Sequence, residues 1–122
     1  MSTILVVDDS LIIHRTLGFT LRKHGFEVLQ ALNGQEALTL LEKSTINLVI
    51  SDLAMPRMDG MELLRRMRHD KNLEAIPFIM LTASGQDEDR ITARKEGANG
   101  FLTKPASSSE VIQAIGAALE QK

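Results

Sequence analysis

Short apolar runs alternate with longer stretches of helical period along the whole chain. Ile4 to Val7 is apolar throughout and stops at Asp8 and Asp9. Leu48 to Ile50 repeats the pattern ahead of Asp52, and Phe78 to Leu81 repeats it ahead of Thr82. Glu27 to Ala31 and the shorter Gly100 to Thr103, which ends at Lys104, bring the predicted strands to five. Runs without a polar residue predict strands covered on both faces, as parallel sheets require.

The segments between them carry helix signals. Leu11 to His24 stacks Ile13, Leu17 and Leu21 at four-residue spacing, and Gly25 supplies the stop. Val111, Ile112, Ile115, Ala118 and Leu119 form one stripe in the last segment. Asn33 with Glu36, Asp59 with Glu62, Ser84 with Asp87 and Ser107 with Glu110 match or approximate a capping box. In that arrangement the first side chain accepts from an orphan backbone N–H and the acid reaches back to the cap.

Alternating β and α segments with right-handed crossovers predict an α/β fold. Residues 2–121 read as one (βα)5 unit, a doubly wound five-stranded parallel sheet of order 2-1-3-4-5. No repeat, linker or low-complexity tract interrupts it, so residues 1–122 are expected to form a single domain with no output domain. Strands 1 and 3 are neighbours in this order, and ligands bind outside the carboxyl ends of the strands at that switch point. Asp8 and Asp9 end strand 1, Asp52 ends strand 3, Thr82 ends strand 4 and Lys104 ends strand 5. Five chemically useful side chains are therefore expected on one rim.

Composition narrows the picture. A chain of 122 residues buries about two thirds of its unfolded surface without a staple. With 43% hydrophobic and 25% charged residues it is globular in composition. The absence of cysteine excludes disulfides and thiolate metal sites and fits a reducing cytoplasm. A net charge of −2 and only four aromatic residues, all Phe, argue against a direct nucleic-acid binder. The start, MSTILVVDDS, lacks a signal peptide's basic region and apolar length, and no apolar run approaches the ~20 residues of a membrane span. A cytoplasmic protein without membrane insertion is expected.

Three carboxylates brought together repel unless a cation intervenes, and an all-oxygen site suits Mg²⁺, which keeps positions open for water and phosphate oxygens. Asp52 is then a candidate nucleophile, since a carboxylate can form an acyl phosphate. Lys104 supplies a second charge for the transferred group, and the Thr82 hydroxyl a hydrogen bond. Each residue has a plainer reading: Asp9 as the cap of the first helix, Asp52 as a turn residue, Lys104 as a loop lysine, Thr82 as a strand-end hydroxyl. Their joint placement on the ligand-binding rim favours the chemical reading.

Val7 to Ser10, the segment SDLAMPRMDG from Ser51 to Gly60, Thr82 with Ala83, and Lys104 with Pro105 resemble the receiver domain of two-component response regulators over essentially the whole chain. The resemblance implies the receiver, or flavodoxin-like, fold of the chemotaxis response regulator. It implies a phosphoacceptor at Asp52 and Mg²⁺ (with Mn²⁺ as a substitute) held by Asp9, Asp52 and the backbone carbonyl of Ala54, with Asp8 acting mainly through water. It also implies phosphoryl contacts from Lys104 and Thr82, and a cis peptide bond before Pro105. Its switch would draw Thr82 toward the phosphoryl group while Phe101 rotates into the space left. Phe101 would work by packing alone, since it has no hydroxyl; simple core packing is the other reading of that residue. Helix 4, strand 5 and helix 5, roughly residues 86–121, would be the readout face. Ala54 and Ser84 stand where the family's side chains influence the lifetime of the aspartyl phosphate.

The implied function is a phosphoacceptor, with no turnover of external substrates. A sensor histidine kinase or histidine phosphotransfer protein would donate the group. A protein effector would receive the signal: a motor or chemotaxis component, the next histidine carrier of a phosphorelay, or a separately encoded effector. A monomer is expected, with a dimer on phosphorylation as the alternative. Three other functions fit less well. A haloacid-dehalogenase-type phosphatase wants an acid where Ala54 stands. A flavodoxin-like cofactor binder wants a Ser/Thr/Gly-rich loop where Asp8 and Asp9 stand. A pseudo-receiver would not need the acids and lysine. His14, His24 and His69 lack ligand spacing and read as surface or helix-end residues. Met55, Met58 and Met61 read as filler around the turn after strand 3, and Arg65, Arg66 and Arg68 as the wet face of helix 3. The segment Gln86 to Arg90 reads as a solvated helix start, its acids matched to the helix dipole.

Overall fold

A computed structural model describes residues 2–120. Met1, Gln121 and Lys122 lie outside the described residues, and with them the last position of the expected readout face. The elements alternate as β1 (Thr3–Val7), α1 (Leu11–Lys23), β2 (Glu27–Ala31), α2 (Gly34–Lys43), β3 (Leu48–Ser51), α3 (Gly60–Arg68), β4 (Phe78–Thr82), α4 (Asp87–Lys95), β5 (Gly100–Thr103) and α5 (Ser108–Glu120). All strand pairs are parallel, in the order β2-β1-β3-β4-β5.

Strand alternation divides the core into two layers. Leu5, Val7, Val49, Phe78 and Met80 point to one face, where α2, α3 and α4 supply Ala37, Leu41, Leu63, Leu64, Met67 and Ala93. Ile4, Val6, Leu48, Ile50, Ile79 and Leu81 point to the other, against Leu17 and Leu21 of α1 and Val111, Ile115 and Ala118 of α5. Consecutive apolar residues thus fill opposite faces, which is why the three central strands tolerate no polar position within their apolar runs. The edge strands β2 and β5 are only partly buried.

The helix starts follow their caps, with one exception. Ser107 and Glu110 form the full reciprocal box at α5, at 3.1 and 2.9 Å. Asn33 and Asp59 cap α2 and α3, each accepting the N–H of the residue three on at 2.9 Å. Glu36 reaches back one residue further than a box requires, to the Leu32 N–H. The expected box at Ser84 does not form. Helix α4 begins at Asp87 after Gln86, which makes no side-chain cap, and the Ser84 hydroxyl instead donates to the Asp89 carboxylate. Its first turn does carry three acids, Asp87, Glu88 and Asp89, where the dipole favours them.

Met58 and Met61 are buried and Met55 packs beside them, filling the turn between β3 and α3. Arg65 and Arg66 lie on the exposed face of α3, but Arg68 does not. Its guanidinium donates to the carbonyls of Gly97, Glu74 and Ile76 and to Asn99 Oδ1 at 2.8–3.2 Å, which ties the segments entering β4 and β5. A planar fork of five donors suits this cluster of carbonyls, and spacing along one helix gives no sign of it.

Candidate functional site

Four strand ends, of β1, β3, β4 and β5, build the site. The Asp52 N–H donates to the Val7 carbonyl at 2.9 Å, so β3 delivers Asp52 beside the end of β1. The Lys104 N–H donates to the Thr82 carbonyl at 2.8 Å, which ties the lysine to the end of β4. The Lys104 ammonium then reaches across the switch point to Asp8 Oδ2 at 2.8 Å and Asp52 Oδ2 at 3.3 Å. Asp8 and Asp52 are buried, at 2% and 9% exposure, and Asp9 is exposed.

Ser10, and not Asp9, caps α1 by accepting the Ile13 N–H at 3.3 Å. The Ser10 N–H in turn donates to Asp8 Oδ1 at 2.9 Å. Asp9 makes no hydrogen bond or ion pair among the described residues, so its carboxylate is available to a ligand. Carboxylate oxygens of Asp8, Asp9 and Asp52 lie within 4.8 Å of one another. One ammonium against three carboxylates leaves negative charge uncompensated in a partly desolvated place. That donor set fits a hard divalent cation.

Burial acts to lower the Lys104 pKa, but the hydrogen bond and charge of Asp8, with those of Asp52, outweigh it. The net shift is upward, and the ammonium is held charged beside the acids.

The loop after β3 is fixed by close packing. The Gly60 N–H donates to the Leu53 carbonyl at 2.8 Å, and a Cβ on Gly60 would stand 2.1 Å from the Asp52 carbonyl oxygen. Only glycine fits there. Within the loop, Arg57 takes a positive φ of 69°, uncommon for a residue with a side chain. Ala54 is exposed, two residues beyond Asp52.

Thr82 is buried on the same rim, its hydroxyl accepting the Ser84 N–H at 3.3 Å. Phe101 sits on β5 opposite Met80, half-buried, with the Arg90 guanidinium 5.4 Å above its ring centre. The Lys104–Pro105 peptide bond is cis.

His24 and His69 end α1 and α3, as expected of helix-end histidines. His14 does not follow that expectation: it is 3% exposed, with Nε2 2.7 Å from the Asp8 carbonyl and 3.1 Å from that of Ala31. A histidine on the inner face of a helix carries no local mark of such a partner. The available sign was its place three and seven residues before Leu17 and Leu21, on the buried face of α1.

The response regulator receiver domain model matches residues 4–116. The chain belongs to this family. Protein PilH of Pseudomonas aeruginosa is 34% identical over 119 residues, covering 98% of each chain. An uncharacterised 14.6 kDa protein of Leptolyngbya boryana is 45% identical over 112 residues, 92% of this chain and 86% of its own. The structure of the Vibrio cholerae chemotaxis protein CheY4 superposes with a TM-score of 0.91 at 32% identity, covering 97% of this chain and 98% of that one. The receiver is thus a phosphoacceptor signalling module with an acidic phosphorylation site, not an enzyme in the usual sense, and its family membership implies a cognate histidine kinase. No helix among the described residues is long and apolar enough to cross a membrane.

Proposed function

We propose that Asp52 is the phosphoacceptor. The observation that carries this reading is the Lys104 ammonium bridging Asp8 and Asp52 beside the exposed, unpaired Asp9. An Asp52 carboxylate oxygen attacks the phosphorus of a phosphohistidine on the donor protein. The new O–P bond forms as the N–P bond breaks, and the imidazole nitrogen leaves with its electron pair. Lys104 shifts its charge toward the incoming phosphoryl oxygens, and Thr82 donates its hydroxyl to another. Asp9, Asp52 and the Ala54 backbone carbonyl would hold Mg²⁺, or Mn²⁺ in its place, with Asp8 acting mainly through water; the ion would supply charge neutralisation for the phosphoryl oxygens.

Movement of Thr82 toward the phosphoryl group then lets Phe101 turn inward. The signal leaves by the α4–β5–α5 face to a protein effector. PilH, matched over 98% of its length and of this chain, supports the reading of residues 2–120 as a receiver.

Intact-mass measurement after incubation with Mg²⁺ and acetyl phosphate tests this reading. One phosphoryl group should be gained, and the gain should vanish in Asp52→Asn and with a chelator. A gain that persists in Asp52→Asn refutes the site, and no gain under any condition refutes phosphoacceptor function.

A further inference from the structure

Among the described residues, His14 is the one buried titratable residue that the phosphoryl chemistry above does not use. It projects from the first turn of α1 into the angle between the ends of β1 and β2. Both neighbours of its Nε2 are carbonyl oxygens, of Asp8 and Ala31, so this nitrogen carries the proton and donates. The paired register of these strands ends at Val7 opposite Ala31, with one further bond from the Asp8 N–H to the Ala31 carbonyl at 3.0 Å. Beyond that step β2 turns away into the Asn33 cap, and the imidazole supplies the donor for the Asp8 carbonyl in place of a strand.

The other ring nitrogen, Nδ1, is buried with no hydrogen-bond partner among the described residues. A side chain there for packing alone would be better apolar, because an unpaired buried nitrogen costs free energy that a leucine would not. The ring is therefore held for what its Nε2 end does. That end fixes the peptide between Asp8 and Asp9, the link from which two of the three acidic side chains depart. Asp8 is pinned on its other side by the Ser10 N–H and the Lys104 ammonium, whereas Asp9 has only the backbone to aim it.

We infer that His14 is a positioning residue: by donating from Nε2 to the Asp8 and Ala31 carbonyls, it sets the direction of the Asp8 and Asp9 carboxylates and so the cation affinity of the acidic triad. This rests on the reading of the triad as a Mg²⁺ site. Partners one step removed from a metal commonly alter its affinity 10- to 100-fold, which is the scale of roughly 10-fold expected here.

Calorimetric titration of Mg²⁺ into wild type, His14→Leu and His14→Gln, without any phosphoryl donor, tests the inference. His14→Leu should weaken binding roughly 10-fold, while His14→Gln, whose amide keeps a donor at similar reach, should recover most of it. Urea denaturation of the same proteins without metal separates affinity from stability. The inference predicts that affinity follows the donor and not the unfolding midpoint. Equal affinity in all three proteins overturns it, as does affinity that tracks stability alone. Wild type that fails to bind Mg²⁺ removes the triad reading itself, a distinct result. Should the leucine variant not fold, ¹⁵N chemical shifts of the wild-type ring decide: a proton on Nε2 is required, and a proton on Nδ1 alone refutes the inference.

Discussion

Lys104 and Arg68 are both cations drawn partly out of solvent, at opposite ends of the same parallel sheet. Arg68 lies where the chain enters β4 and β5. Its donors are used on the carbonyls of Glu74, Ile76 and Gly97 and on Asn99, all of them neutral. Burial lowers its pKa. Lys104 lies where the chain leaves β5, and its partners are the charged groups of Asp8 and Asp52. Its pKa is raised against the opposing effect of burial. The first cation completes a closed knot of hydrogen bonds. The second leaves a net negative cluster, which under the proposed function a cation and a phosphoryl group would complete. Structural and chemical charges are separated by where the sheet's strands begin and where they end.

Breaking the functional cation should give the largest effect. Lys104→Met is expected to slow phosphoryl uptake from acetyl phosphate roughly 100- to 1,000-fold, the usual loss when one charge-stabilising group is removed. Time-resolved intact mass measures it, with urea unfolding to show that the fold persists. Breaking the structural cation should reverse the pattern. Arg68→Met strands several carbonyls at once and is expected to cost about 2–3 kcal/mol of stability in urea denaturation, with phosphoryl uptake unchanged well below the melting range.

A pH titration sharpens the contrast without removing either side chain. A raised folded-state pKa means that the Lys104 pairing contributes fully below the ordinary value of 10.5 and is lost as pH rises through the higher folded value. In metal-free protein the stability difference between wild type and Lys104→Met should therefore hold through neutral pH and shrink only in strong alkali. A difference that disappears near neutral pH contradicts the pairing. The smallest effect belongs to a local feature away from both cations. Ser107→Ala should cost about 1 kcal/mol by removing the α5 cap, leaving Mg²⁺ binding intact.

Much of this was legible in sequence because strands and caps are local. The apolar runs located the three central strands, and the ladder then added Thr3, Ser51 and Thr82, each paired with a neighbouring strand. Hydroxyl residues do not extend an apolar run, but strand membership depends on a backbone partner. The Ser107 box formed because its groups lie within one turn. The Ser84 box failed because α4 begins at Asp87 after Gln86, which leaves Ser84 two residues outside the cap position, where its hydroxyl donates to Asp89. Arg68 and His14 depart from expectation for a shared reason: their partners are mostly backbone carbonyls of other segments, and a carbonyl has no residue identity to read.

The sequence by itself determined the alternation of strands and helices, the rim on which the acids, Thr82 and Lys104 emerge, and the resemblance carried by SDLAMPRMDG. These follow from side-chain periodicity and from the rule that parallel strands end on a common edge. Only the tertiary structure decided that Ser10 caps α1 and leaves Asp9 unpaired, that Lys104 stands nearer Asp8 than Asp52, and that His14 is buried beneath the acidic loop. Those choices depend on distances between segments that meet only when the sheet has assembled. At that point a few tenths of an ångström decide which polar group finds a partner and which is left for a ligand.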